Sequence, residues 1–357
     1  MRESGVRHLL IGAALSLAVL SQVSRAAQTS TERAVAEASA GVDLARQSKY
    51  PEALAAYGRA RTLDPNLPGL DLNVGLAQFK LGEFRLASAS FQRALAQRPD
   101  DFQAQTLLAM SYYGTREFAE ASKAFADLVA KQPSNTELRN LYAQSCLWSA
   151  QYDCAKQQFA ELLARDPDSA QVHVLLGQAL DGLEKSDEAI AEFRKAAATS
   201  PDGPNVQFGL GYLYWKAKRY DEASMAFRRA IAAPGGSPEA SAYLGDIALR
   251  NNDRDTAVRL FKEALAGQKN LRIAYFDLGA IYQQEGNLKE AARNFQEAIR
   301  LDPSRADAHY RLAAVFRAGG RTAEAEEELA RVRQIHEKEQ QDLLLKISGP
   351  PPTLTVP

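Results

Sequence analysis

The chain has 357 residues, of which 46% are hydrophobic, 24% charged and 8% aromatic, with a formal net charge of −1. That length and composition permit a sizeable buried core. The near-neutral balance, without a basic stripe or a long acidic block, excludes a protein that must displace counterions from a phosphate backbone.

The first residues read MRESGVRHLLIGAALSLAVLSQVSRAAQ. Arg2 and Arg7 precede an apolar run from Leu9 to Leu20, and Ser24 and Ala26 place small residues at −3 and −1 before Ala27. A positive start, a short apolar core and small residues at the cleavage point describe a secretory signal peptide. A membrane span needs about 20 residues, so cleavage after Ala26 is expected rather than an uncleaved anchor. The mature chain is then expected in the periplasm or outside the cell. Losing three Arg and one Glu with residues 1–26 takes the formal charge from −1 to −3. No cysteine lies near this point, which excludes lipid attachment there. Residues 27–33 form a short linker.

From residue 34 the chain repeats itself every 34 residues without insertion, through 34–67, 68–101, 102–135, 136–169, 170–203, 204–237, 238–271, 272–305 and 306–339. The eighth position is small in every repeat: Gly41, Gly75, Ala109, Ala143, Gly177, Gly211, Gly245, Gly279 and Ala313. The twentieth is Ala in all nine, from Ala53 to Ala325. The twenty-fourth is Tyr57, then Phe91, Phe125, Phe159, Phe193, Phe227, Phe261 and Phe295, then Leu329. Pro stands at position 32 in Pro65, Pro99, Pro133, Pro167, Pro201 and Pro303. Small residues allow two helix backbones to approach, the aromatic fills a gap between hairpins, and Pro ends the second helix. A fixed period of this length is the mark of a stacked-repeat architecture.

This pattern resembles the tetratricopeptide repeat family, a helix–turn–helix unit of 34 residues, over residues 34–339. The resemblance implies an all-α solenoid, a right-handed superhelix of hairpins with a C-terminal capping helix. The family's Trp at position four is replaced by Glu37, Asp71, Gln105, Arg139, His173, Gln207, Ser241, Tyr275 and His309. APGGSPEA at 233–240 replaces the usual end of repeat six, and repeat seven has Arg254 at position 17 and Lys269 at 32. That stretch reads either as the weakest joint of the stack or as a rigid turn with the same packing. The polar, sparsely apolar sequence after Arg321 suits a long terminal helix ending near residue 346, with a disordered Pro-rich tail over 347–357.

Nothing in the chain assembles a catalytic centre. His8 lies in the signal peptide, His173 and His309 fill position four, and His336 sits on the terminal helix, without metal-ligand spacing. FGLGYLY at 208–214 follows no strand, and its Gly211 is simply the glycine of position eight. No enzymatic activity, cofactor or metal is therefore expected. Cys146 and Cys154, at positions 11 and 19 of repeat four, are either a disulfide across the hairpin turn or two buried thiols.

In the family, positions 2, 5, 9, 12 and 13 of the first helices line a concave groove that takes peptides. The resemblance therefore implies a partner-binding set of Phe79, Met110, Tyr113, Asn140, Gln144, Trp148, Asn205, Phe208, Tyr212, Trp215 and Tyr310. Leu72, Leu76, Leu147, Lys216 and Phe276 share those positions, with Leu72 and Phe276 expected to pack on neighbouring helices. Trp and Tyr are the residues most enriched at binding hot spots. The Lys and Asn of the chaperone-binding clamp, at positions five and nine, are absent: the first three repeats carry Ala38/Val42, Leu72/Leu76 and Thr106/Met110. The expected function is an exported scaffold for protein or peptide segments, with no nucleic acid as partner and no membrane-spanning segment in the mature chain. The alternative is a component of an envelope polysaccharide-export or outer-membrane assembly apparatus.

Overall fold

The computed structural model describes residues 29–201, 203 and 205–348, with side chains to 344. The expected signal peptide and the last nine residues of the expected tail lie outside them. The described residues form eighteen helices and no strand.

The chain divides into two compact units, the first made of residues 29–167 with 178–183 and the second of 168–177 with 184–348. In the first unit α1 spans residues 29–46, followed by α2 (Tyr50–Leu63), α3 (Leu70–Lys80), α4 (Phe84–Gln97), α5 (Phe102–Gly114), α6 (Phe118–Lys131), α7 (Thr136–Trp148) and α8 (Tyr152–Leu163). The division falls inside α9 (Ala170–Gly182). The second unit continues with α10 (Ser186–Thr199), α11 (Val206–Lys216), α12 (Tyr220–Ala232), α13 (Pro238–Arg250), α14 (Arg254–Gly267), α15 (Arg272–Gln284), α16 (Leu288–Leu301), α17 (Ala306–Ala318) and α18 (Thr322–Ser348). Every second helix, α2 to α18, begins at position 17 of its repeat. The 34-residue period of the sequence is thus the period of the fold.

Two expected boundaries shift. Helix α1 begins at residue 29, inside the stretch read as a linker, because TSTERAVAEA already has the helical spacing that buries Ala34. Helix α18 runs to Ser348, two residues into the expected tail.

The packing refines the reason for the small residue at position eight. A Cβ placed on Gly75 would lie 2.6 Å from the ring of Phe91, and one on Gly211 would lie 2.7 Å from Phe227. The aromatic of position 24 therefore sits on the glycine of its own hairpin, in the space a side chain would take. The Ala of position 20 is fully buried in all nine repeats. A hairpin alone would expose these residues; stacking on its neighbours covers them.

The turn between the two helices of each hairpin is also uniform. Position 15 adopts a left-handed backbone in every repeat: Gly82, Gly286 and Gly320, but also Ser48, Arg116, Ala150, Glu184, Lys218 and Asn252. At 233–240 the chain makes a defined turn. Gly235 and Gly236 take positive φ, Ser237 accepts a hydrogen bond from the Ala240 amide at 3.1 Å, and Pro238 starts α13 in register.

Position four, where the family carries Trp, is polar glue between the helices. His173 meets Glu192 at 2.6 Å and Arg139 donates to Gln158 at 2.6 Å. Asp71 accepts from Arg61 and Arg93. Gln105, Arg139 and Gln207 each donate to the carbonyl of the Pro six residues earlier, at 2.6, 3.0 and 3.1 Å. In repeats three, four and six the position is thus filled by a side chain that bonds a carbonyl just past the preceding helix.

Candidate functional site

The first-helix residues of the first unit divide into anchored and free ones. Phe79 packs edge-on against Phe84, ring centroids 5.2 Å apart, and Tyr113 does the same with Phe118 at 5.5 Å. Position 12 thus leans on position 17 of the same hairpin. Tyr113 also donates its hydroxyl to Gln144 at 2.7 Å, which ties repeat three to repeat four. Met110 is half-buried against the core around Phe125. Leu147 is buried, so it belongs to the core rather than to a binding face. Asn140 is half-buried, whereas Trp148, the last residue of α7, is 49% exposed. Two residues before it, Cys146 is disulfide-bonded to Cys154, with Cα atoms 5.9 Å apart.

The second unit holds a denser arrangement. Phe208, Tyr212 and Trp215 project from α11 toward Tyr243 of α13. Tyr243 is the hub: its ring lies 5.9 Å from Phe208, 5.8 Å from Tyr212, 5.0 Å from Trp215 and 5.3 Å from the core ring of Phe227. Edge-to-face and stacked pairs at these separations are attractive. The family resemblance places Tyr212 and Trp215 in the partner-binding set. Here they are half-buried and join repeat six to repeat seven, because Tyr243 fills the space between them. Trp215 also donates its indole N–H to Asp246 at 2.6 Å. Asn205 is exposed and takes φ 63° at the start of α11, without capping it through its side chain. Tyr310 is 60% exposed, and Phe276 packs against Phe295 at 5.7 Å.

A charged strip continues from this panel. Arg250 donates to Asp246 at 2.8 Å and lies over the Trp215 ring at 5.9 Å. Arg272 lies 5.5 Å over Phe276 and is bonded to Asp307, which also accepts from Arg305 at 3.0 Å. Between these pairs sits Asp277. Its Oδ2 is buried and accepts no hydrogen bond. Burial, reinforced by Asp246 and Asp307 and opposed by Arg250 and Arg272, pushes its carboxyl up to about 7. The Tyr243 phenol is pushed up to about 12, by burial and then by Tyr212 and Asp246. A carboxyl with a buried oxygen and no partner is costly in its charged form.

Asp246 and Arg250 occupy positions nine and thirteen, so the rule that selects Tyr212 and Trp148 selects them too. In the sequence, repeat seven stands apart by Arg254 at position 17 and Lys269 at position 32. Tyr243 and Asp277 occupy position six, which the family's groove positions omit. Among the described residues no group of His, Cys, Asp and Glu is placed to hold a metal ion, and no helix is long and apolar enough to cross a membrane. A cleft of about 580 Å³ lies beside α18, lined by Pro303, His309, Ile335, Lys338 and Asp342 among others.

Stacked helical hairpins of constant length, with an aromatic and ionic face on the first helices, define an α-helical repeat scaffold. Family models of the tetratricopeptide repeat match residues 72–136, 106–147, 149–204 and 208–271, and a second such model matches 282–347. The chain belongs to the tetratricopeptide repeat family. No curated protein matches it. Among solved structures it is similar to a tetratricopeptide repeat protein from Parabacteroides merdae, at 17% identity over 68% of this chain and 96% of that one, with a TM-score of 0.50. Cut9–Hcn1 of the APC/C hetero-tetramer aligns at 15% identity over 85% and 66%, TM-score 0.48. YrrB, described as a TPR protein with an unusual peptide-binding site, aligns at 22% over 53% and 97%, TM-score 0.39. At these identities the likeness is one of fold.

Proposed function

We propose that this chain is an exported, non-enzymatic scaffold that holds a protein segment against its first-helix face. The family is one of protein-interaction modules, and the reading rests on one observation above all: the half-buried aromatic panel of Phe208, Tyr212, Trp215 and Tyr243. No other first helix carries more than one ring at positions five, six, nine and twelve, so the fold does not demand four rings there. Half-buried rings packed on one another still present apolar surface that a partner can cover. Export rests on the sequence of residues 1–26.

Affinity capture from an envelope extract tests the reading when the wild-type chain is run beside a Tyr212→Ala, Tyr310→Ala double variant. The expected outcome is a protein retained by the wild type and lost by the variant, with unchanged helicity by far-UV circular dichroism. Equal retention by both chains removes the first-helix face of the second unit as the working site. Retention of glycan rather than protein points instead to an envelope polysaccharide apparatus.

A further inference from the structure

We infer that the first-helix face of repeats six to nine selects a protein segment carrying a lysine or arginine side chain next to an apolar one. This rests on the reading of that face as the binding site and adds the chemistry of the occupant.

Three observations carry it. The panel of Tyr212, Trp215 and Tyr243 offers ring surface for an apolar side chain, and ring faces attract cations. The adjoining strip holds three carboxyls, Asp246, Asp277 and Asp307. Three guanidinium groups of the strip are already committed: Arg250 to Asp246, and Arg272 and Arg305 to Asp307. Asp277 is left between them with no hydrogen bond or ion pair of its own among the described residues. The Arg272 Nε, also buried and without an acceptor, does not turn to it.

A half-buried carboxyl with one oxygen out of solvent is normally paired with a cation or supplied with donors. Neighbours within the chain could have provided either, yet Arg250 and Arg272, the cations that act on Asp277, are drawn to other carboxylates. An arriving ammonium or guanidinium supplies what the strip lacks. Asp277 then ionises and releases its proton to solvent, and the aliphatic stem of the incoming side chain lies on the rings. An acidic segment would meet three carboxyls, with Arg250, Arg272 and Arg305 already bonded to two of them. Charge complementarity therefore favours the cationic occupant.

The test is a panning of short random peptides, displayed on phage, against the full chain at a pH above 7. Peptides rich in Lys or Arg beside aliphatic or aromatic residues are expected. A selected peptide is then synthesised with its basic residue intact and with norleucine in its place. Against the wild type the replacement is expected to weaken binding about tenfold, the scale of one partly desolvated charge pair. Against Asp277→Asn, an isosteric change that leaves helicity intact, it is expected to cost little. Equal losses against both proteins, or selection of acidic or uncharged peptides, overturn the inference. If the coupling is absent but Tyr212→Ala still abolishes binding, the face stands and only its preference for a cation falls. If neither variant matters, or the library returns no binder, both fall.

Discussion

At Asp277 the demands of fold and solvation pull apart, and the sign of the effect can be worked out. The ordinary aspartate value is 3.8 and the folded one is about 7, with Asp246, Arg250, Arg272 and Asp307 the charged groups that act on it. Between those values the native chain holds a proton that the unfolded chain has released, so stability falls as pH rises through the window. Each unit of gap corresponds to about 1.4 kcal/mol, so the full penalty is on the order of a few kcal/mol. Asp277→Asn removes the titration while keeping the shape. Its stability relative to the wild type should be equal at about pH 4, grow up to about pH 7, and stay level above. Urea midpoints from Trp215 emission across that range measure it. Groups common to both chains cancel in the difference. A difference that does not change with pH means that Asp277 is solvated or paired after all.

The element that recurs most faithfully is the hairpin turn, and it carries strain where its residue is not glycine. A left-handed backbone costs an L-residue roughly 1–2 kcal/mol, part of which glycine returns through the freedom it loses on folding. Ala150, at φ 58°, joins α7 to α8. Ala150→Gly should therefore raise the thermal midpoint followed by circular dichroism, by up to about 1 kcal/mol locally. Gly82→Ala should lower it by a similar amount, and a Cβ there meets nothing within 4 Å, so the change isolates the backbone effect. Midpoints that move the other way would show that the turn relaxes to suit its residue. This turn shows what the sequence can and cannot reveal. Positions 8, 20 and 24 are legible because each answers one steric demand nine times over, and the repeats and family follow from them. Position 15 is hidden because six different side chains tolerate the same φ. The candidate site was half legible for a similar reason. Phe208, Tyr212 and Trp215 lie at groove positions, but their hub Tyr243 and the unpaired Asp277 matter through neighbours from other repeats. Which carboxylate claims which arginine depends on side-chain direction, which spacing does not encode. The Cys146–Cys154 bond was undecided for the same reason: a separation of 8 residues suits either state until the 5.9 Å between Cα atoms is known.

A repeat array is bound together only by contacts between neighbours, so a local change in stability should stay local. This chain carries its own means of showing that. Its two tryptophans fall in different units: Trp148 two residues from the disulfide in the first, Trp215 on the aromatic panel in the second. The disulfide closes a short loop, and the chain-entropy model gives it about 2–3 kcal/mol. It also clips the hairpin that holds Ala150 in its left-handed turn, so reduction should loosen repeat four first. In a Trp215→Phe chain, which reports through Trp148 alone, reduction should move the urea midpoint of emission to lower concentration. In a Trp148→Phe chain, which reports through Trp215, the midpoint should hold. Comparing oxidised with reduced protein within each variant removes the effect of the substitution itself. Equal shifts in both would mean that the array unfolds as one cooperative body, because loss of repeat four would then be felt at repeat six. No shift in either would mean that the bond adds nothing to a hairpin already held by Ala143, Cys146 and Phe159 in its core.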